Sequence, residues 1–307
     1  MSTALPAQPI ANPTEPPRII APQRTSIFAD RARRFAVLAE GHALGDWLRL
    51  LGRLSEAQHQ ALQHVPVVPL PDAIALDRAR SHAMPPLPAQ HWARHAAWRD
   101  ALGSIVSALA DDSPDATRQT LAALAVATPV QLEALAERVL HTELYGDDAA
   151  QLPFVAAALQ VYWTAMAAAL GADGIVPLDV PGVCPCCGSL PVVSVVRNAA
   201  EVSKLRYLHC SLCNTEWNLV RVKCAACDAT AGISYREIEG APLGKAAAMR
   251  AETCDECKSY LKILYQEQAP DGDPVADDLA TLALDMLVDE AGYSRAGPNL
   301  LFVPGNG

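Results

Sequence analysis

The sequence predicts an α+β protein: an N-terminal all-α helical bundle, then a strand-rich, cysteine-bearing segment, then a C-terminal helix. Three observations carry that prediction. Alanine is abundant and aromatics make up only 5% of 307 residues, a composition suited to closely packed helices rather than to a β-sandwich. Helical periodicity dominates from about Thr25 to Leu170. All nine cysteines and most β-branched runs lie beyond the Pro181-Gly182 punctuation. A hydrophobic content of 51% allows a substantial core, and a net charge of −10 works against unspecific attraction to phosphate backbones or anionic lipid.

Residues 1–24 open with MSTALPAQPIANPTEPPRII, which holds five prolines and reads as a flexible, polyproline-like arm. It has no basic stretch followed by an apolar one, so no secretory signal is read here and a cytoplasmic location is expected. The helical domain is placed at 25–180. Phe28, Ala32, Phe35, Ala36 and Ala39 form the stripe of a first amphipathic helix. Pro66 to Pro88 contains six prolines and predicts an extended connector. Ser113-Pro114 and Thr128-Pro129 are helix starts, the second leading into a buried face of Leu132, Leu135, Ala136, Val139 and Leu140. Ala149 to Ala172 is a run of 24 uncharged residues, long enough to cross a bilayer of about 30 Å. Pro153, Gln160, Tyr162 and Trp163 interrupt it and Asp147, Asp148 and Asp173 flank it, so a central bundle helix is expected and stable membrane insertion is not. This half has no phosphate loop and no nucleophile elbow, and no catalytic residue is assigned. His91 and His95 stand at i, i+4 without a companion ligand pattern and read as a helix face.

Eight cysteines form four C-x-x-C pairs, Cys184/Cys187, Cys210/Cys213, Cys224/Cys227 and Cys254/Cys257, with Cys186 left over. The intervening stretches, 188–209, 214–223 and 228–253, hold 22, 10 and 26 residues. Each half follows one plan: a knuckle, a strand, a returning strand into the next knuckle, and a strand leading out. This internal duplication places one module at 181–223 and a second at 224–268. Two residues between thiolates let one turn present both sulfurs to one ion, and two such turns complete a tetrahedral shell at about 2.3 Å per bond. The duplication favours Cys184, Cys187, Cys210 and Cys213 as one site and Cys224, Cys227, Cys254 and Cys257 as the other. Disulfides fit poorly without an export signal, and a thioredoxin-like motif would need one C-x-x-C at a strand-to-helix junction.

CPCCG, residues 184–188, is a knuckle common to rubredoxins and zinc ribbons, so the residues alone leave iron and zinc open. Gly188 permits a left-handed turn after the second cysteine; Asn214, Asp228 and Lys258 hold the equivalent places, and lysine is the departure among them. Cys186 reads as a spacer pointing away from the metal, with a free, reactive thiol as the other reading. From Cys184 to Tyr265 ten Lys or Arg face eight Asp or Glu, too balanced for a nucleic-acid surface. Tyr207, Trp217, Tyr235, Tyr260 and Tyr265 are read mainly as packing residues, with a contact role for some. Asp273-Pro274 then starts the closing helix of the segment 269–307, with Val275, Leu279, Leu282, Ala283, Met286 and Leu287 as its apolar stripe.

CPCCGSLPVVSVV, LRYLHCSLCNTEWNLVRVKC, CDECKSYLKILYQE and ADDLATLALDMLVDEAGY together resemble the FdhE family, accessory proteins of respiratory formate dehydrogenases; IFADRARRFAVLAEGH is similar in character. The resemblance implies a non-catalytic cytoplasmic protein that binds the molybdopterin-containing catalytic subunit before export and is needed for its activity. It also moves the metal expectation toward two rubredoxin-type irons, with zinc as the alternative. A rubredoxin-like electron-transfer protein and a zinc-ribbon nucleic-acid binder are the competing readings.

Overall fold

The structure is a computed structural model and describes residues 16–65, 68–91, 93–197, 205–238 and 248–304. Most of the proline-rich arm, residues 1–15, lies outside them. The arm's remainder is tied down: strand β1 (Ile19–Ile20) joins the sheet, and Tyr207 Oη donates to the Pro17 carbonyl at 2.8 Å.

Helix α1 (Ile27–Ala39) buries Phe28, Phe35, Leu38 and Ala39, but two expected stripe members do not follow, Ala32 being half-buried and Ala36 exposed. Arg31 and Arg34 are buried instead. Helix α2 (Gly45–His64) lies against α1 and buries Leu48, Leu51, Leu54 and Leu62 on one face. The proline-rich connector is not extended throughout, because α3 (Ala73–Ser81) forms within it, capped by the Asp72 carboxylate accepting from Ala75 N. Helix α4 (Ala97–Leu109) is followed by α5 (Asp115–Val126), where Ser113 donates backward to Leu109 O rather than capping the helix it precedes. Helix α6 (Pro129–Leu140) begins as expected, with Thr128 and Gln131 forming a reciprocal capping box.

The uncharged run becomes α7 (Leu152–Leu170), entered through a short 3-10 turn and ended at Gly171 with φ +70. It contacts α2, α4 and α6, and its apolar window is 83% buried within the protein. The polar residues that interrupt it have internal partners. Gln58 donates to Gln160 Oε1, Gln160 donates to Ser211 O at 2.8 Å, and Trp163 Nε1 donates to Leu87 O at 3.0 Å.

The strands are β2 (Pro191–Arg197), β3 (Leu205–Cys210), β4 (Glu216–Asn218), β5 (Ile233–Arg236), β6 (Met249–Cys254) and β7 (Ser259–Tyr265). The duplication is visible as two three-stranded antiparallel units, yet the units do not stand apart. They share one sheet of order β1-β4-β3-β2-β7-β6-β5, joined by parallel pairing of Ser194, Val195 and Val196 with Ile263, Leu264 and Tyr265. Tyr207, Trp217 and Tyr260 are buried, as packing residues should be, whereas Tyr235 is 41% exposed.

The closing helix is broken in two, α8 (Pro274–Leu279) and α9 (Leu282–Glu290), followed by a two-residue strand β8 (Ser294–Arg295) beside β7. Lys262, rising from β7 and fully buried, donates to the carbonyls of Asp278 and Thr281 and so takes over carbonyls at the break. The rotation at the break ends the predicted stripe. Val275 and Leu279 are buried, but Met286 and Leu287 are exposed and Leu284 and Val288 take their place. Helix α8 lies across β2 and against α1, where Arg31 Nε meets Asp273 Oδ1 at 3.1 Å and Arg34 Nε meets Asp277 Oδ2 at 2.8 Å.

Candidate metal centres

In the first and third knuckles the amide after the second cysteine bonds back to the first. Gly188 N donates to Cys184 O at 2.8 Å and Asp228 N to Cys224 O at 3.1 Å. All four residues at that place are left-handed: Gly188 at φ +79, Asn214 at +58, Asp228 at +68 and Lys258 at +53. The turn leaves amides aimed at sulfur: Leu212 N and Cys213 N lie 3.4 Å from Cys210 Sγ, and Ala226 N lies 3.4 Å from Cys224 Sγ.

Strand pairing then brings the knuckles together two by two. Cys184, Cys187, Cys210 and Cys213 form one group and Cys224, Cys227, Cys254 and Cys257 a second, the sulfurs of each lying within 4.8 Å of one another. In the first group Cys184–Cys213 and Cys187–Cys210 are 3.5 and 3.4 Å apart. In the second, Cys224–Cys257 and Cys227–Cys254 are each 3.7 Å apart. A tetrahedral ion with sulfur at about 2.3 Å requires edges of about 3.8 Å. Both groups therefore fit one divalent ion each, and four thiolates suit zinc and iron alike.

The first group is wholly buried at the junction of sheet and bundle. Leu87 N and Ala89 N donate to the carbonyls of Cys186 and Cys187 at 3.0 and 2.8 Å, and Cys213 Sγ lies 3.2 Å from Thr215 Oγ1. Burial pushes the Cys184 and Cys210 thiols well up, while at Cys213 burial is overcome by hydrogen bonds from the surrounding thiols, which hold it well below the usual range. Only Cys213 is favoured as a thiolate, so the group does not gather four negative charges unaided; a bound cation would supply the charge that deprotonates Cys184 and Cys210. Cys186 is fully buried too. A hydrogen bond to Cys213, and then burial, push its thiol up.

The second group is open on one side, for Cys227 and Cys257 are exposed. Against its partial burial, the Ser259 hydroxyl and amide bring Cys257 down to about 7. Against the Ala229 amide, desolvation and the neighbouring thiols push Cys227 up to about 12. Lys258, which closes the last knuckle, pairs with Asp255 at 2.8 Å and lies over the Tyr293 ring. His91 and His95 join no group of three or more possible ligands among the described residues.

A polar network beside the first group was not foreseen. Asn214 Oδ1 accepts from Arg31 Nη2 at 2.8 Å, with His209 Nε2 3.1 Å away, and Asn214 Nδ2 donates to Thr164 Oγ1 at 2.8 Å. His209 Nδ1 lies 3.1 Å from Glu216, which Arg197 grips with two hydrogen bonds of 2.8 and 2.6 Å. Burial alone would raise the Glu216 carboxyl; His209 and Arg197 instead hold it at about 2. His209, Asn214, Glu216 and Arg197 line part of a cavity of about 620 Å³ between sheet, α1 and α8. The available signal was His209 directly before Cys210, a polar residue at the alternate position that follows Leu205 and Tyr207.

The family model described as FdhE, N-terminal, matches residues 16–179; FdhE, central domain, matches 183–221; and FdhE, C-terminal domain, matches 222–302. A curated protein named Protein FdhE homolog from Stutzerimonas stutzeri is 39% identical over 301 residues, covering 98% of this chain and 97% of its own. Another of that name from Pseudomonas aeruginosa is 39% identical over 292 residues, 94% of each. The crystal structure of the FdhE protein from Pseudomonas aeruginosa is similar to the whole fold, with a TM-score of 0.86 and 38% identity over 94% of this chain and 100% of that one.

Proposed function

Because the chain belongs to the FdhE family, we propose that it is a non-catalytic accessory factor that docks on the catalytic subunit of a respiratory formate dehydrogenase in the cytoplasm and is required for that enzyme's activity. The observation that carries this reading is the gathering of eight cysteines into two clusters fused through one sheet to a helical bundle. A metal held by four thiolates has no open position for substrate, so each site serves shape or electron exchange rather than hydrolysis. Cys184, Cys187, Cys210 and Cys213 would hold one ion and Cys224, Cys227, Cys254 and Cys257 the other; bound metal supplies a cross-link between knuckles and, as iron, a one-electron couple. Retention of the formate dehydrogenase catalytic subunit on tagged protein is the expected result. Full formate dehydrogenase activity in a strain lacking this chain would sink the reading.

Electron transfer is the second reading, and one observation favours it: the exposed edge at Cys227 and Cys257 would let a partner approach the second metal closely. Metal content and the absorption spectrum of anaerobically purified protein decide. Zinc alone removes this reading, while iron with a reversible couple keeps it.

A further inference from the structure

The two clusters have the same ligands and different surroundings. Around the first, every sulfur is buried, at 0% exposure for Cys184, Cys210 and Cys213 and 1% for Cys187. Its knuckles are clasped by chain from elsewhere: the 85–89 segment through Leu87 and Ala89, α7 through Gln160 and Thr164, and α1 through Arg31. An ion there has no path to solvent unless sheet and bundle part. Around the second, Cys227 and Cys257 are exposed, and so are Ala226, Asp228, Glu256 and Lys258 beside them. The arms that carry the Cys254/Cys257 knuckle are fixed independently of any ion. Strand β6 pairs with β7 over its full length, Tyr260 Oη donates to Asp285, and Lys262 is anchored by Asp278 and Thr281. Emptying the second site therefore removes one cross-link at the surface and leaves the sheet paired.

We propose that the clusters divide the work: the first holds its metal as a permanent part of the core, and the second exchanges its metal with solution while the protein stays folded. This rests on reading both clusters as metal sites. Exchange is a ligand substitution without electron transfer. Cys227 and Cys257, on the open side, would be the ligands a donor from solution could displace before the buried Cys224 and Cys254, and each freed thiolate would take a proton from solvent. Occupancy of the second site is then a reversible state of the folded molecule, set by free metal and by competing thiols or chelators.

The test uses the full chain loaded with zinc and mixed with 4-(2-pyridylazo)resorcinol as the competing chelator. Two equivalents should leave in separate phases, with rates differing by at least about 100-fold, as expected between a surface-open site and one that needs sub-global opening. Circular dichroism should stay constant through the fast phase. Iodoacetamide added during that phase, followed by peptide mass spectrometry, should mark Cys227 and Cys257 and leave Cys184, Cys187, Cys210 and Cys213 unmodified. Cys227→Ser should retain one slowly released equivalent. Release of both equivalents together, labelling of the first cluster during the fast phase, or a fast phase that coincides with loss of structure would each overturn the division. Binding of fewer than two equivalents by the unaltered chain would instead overturn the reading of both clusters as metal sites.

Discussion

Lys258 is the residue at which the geometry of a thiolate knuckle overrides local preference. A left-handed residue was legible at Gly188, Asn214 and Asp228, whereas Lys258 read as the departure; one turn that presents two sulfurs admits few backbone paths, and lysine adopts the same conformation at φ +53 although a Cβ there crowds the chain. Lys258→Asn should raise the melting temperature by roughly 2 °C, since asparagine tolerates this region better, whereas Lys258→Met, which keeps the strain and loses the Asp255 pair, should not raise it. Calorimetry of the metal-loaded variants checks both. Glu216 was not legible, because its partners His209 and Arg197 converge on it only across paired strands. Its folded carboxyl at about 2, against an ordinary 4.5, favours the folded state above pH 4.5 by about 3 kcal/mol, and that contribution disappears as pH falls from 4.5 toward 2. The stability difference between the unaltered chain and Glu216→Gln, read from urea unfolding, should accordingly be flat from pH 8 to 5 and shrink below 4.5. A difference that grows on acidification would contradict this assignment.

Among the elements, those governed by their own residues were readable and those governed by distant ones were not. Thr128-Pro129 capped α6 as its sequence promised, and the uncharged alanine run became the central helix. The face of α1 was misjudged because the partners of Arg31 and Arg34 lie 242 and 243 positions away, and no periodicity in α1 announces a buried cation. The closing helix was expected unbroken because Lys262, which ends α8, belongs to a strand. The α1–α8 contact is also the element most exposed to a single change. Asp273→Asn keeps the cap on Val275 and Ala276 but leaves the Arg31 guanidinium, at 0% exposure, without its counter-charge. A loss of about 3–5 kcal/mol in chemical denaturation is expected, with partial recovery on adding Arg31→Met.

Considered whole, the molecule is held together by its two ends. The parallel β2–β7 seam and the Arg31–Asp273 and Arg34–Asp277 pairs all join residues before 200 to residues after 260. A chain cut to residues 16–221 should therefore fail to yield a soluble monomer, because it bares the β2 edge and strands two buried cations; size exclusion and circular dichroism of the fragment check this. The same seam has a consequence for assembly. Two repeats of one plan meet head to tail, β2 of the first against β7 of the second, and a contact of that kind does not close on itself as a two-fold dimer would. Repeated without limit, it would build a fibre with a free strand at either end. The β4 end is capped by two residues, Ile19 and Ile20, paired with Trp217 and Glu216. At the other end the outermost strand among the described residues, β5, is four residues long and carries exposed Ser234, Tyr235 and Arg236. A dipeptide at one end and a short polar strand at the other stop at two a stack that its own geometry would allow to continue.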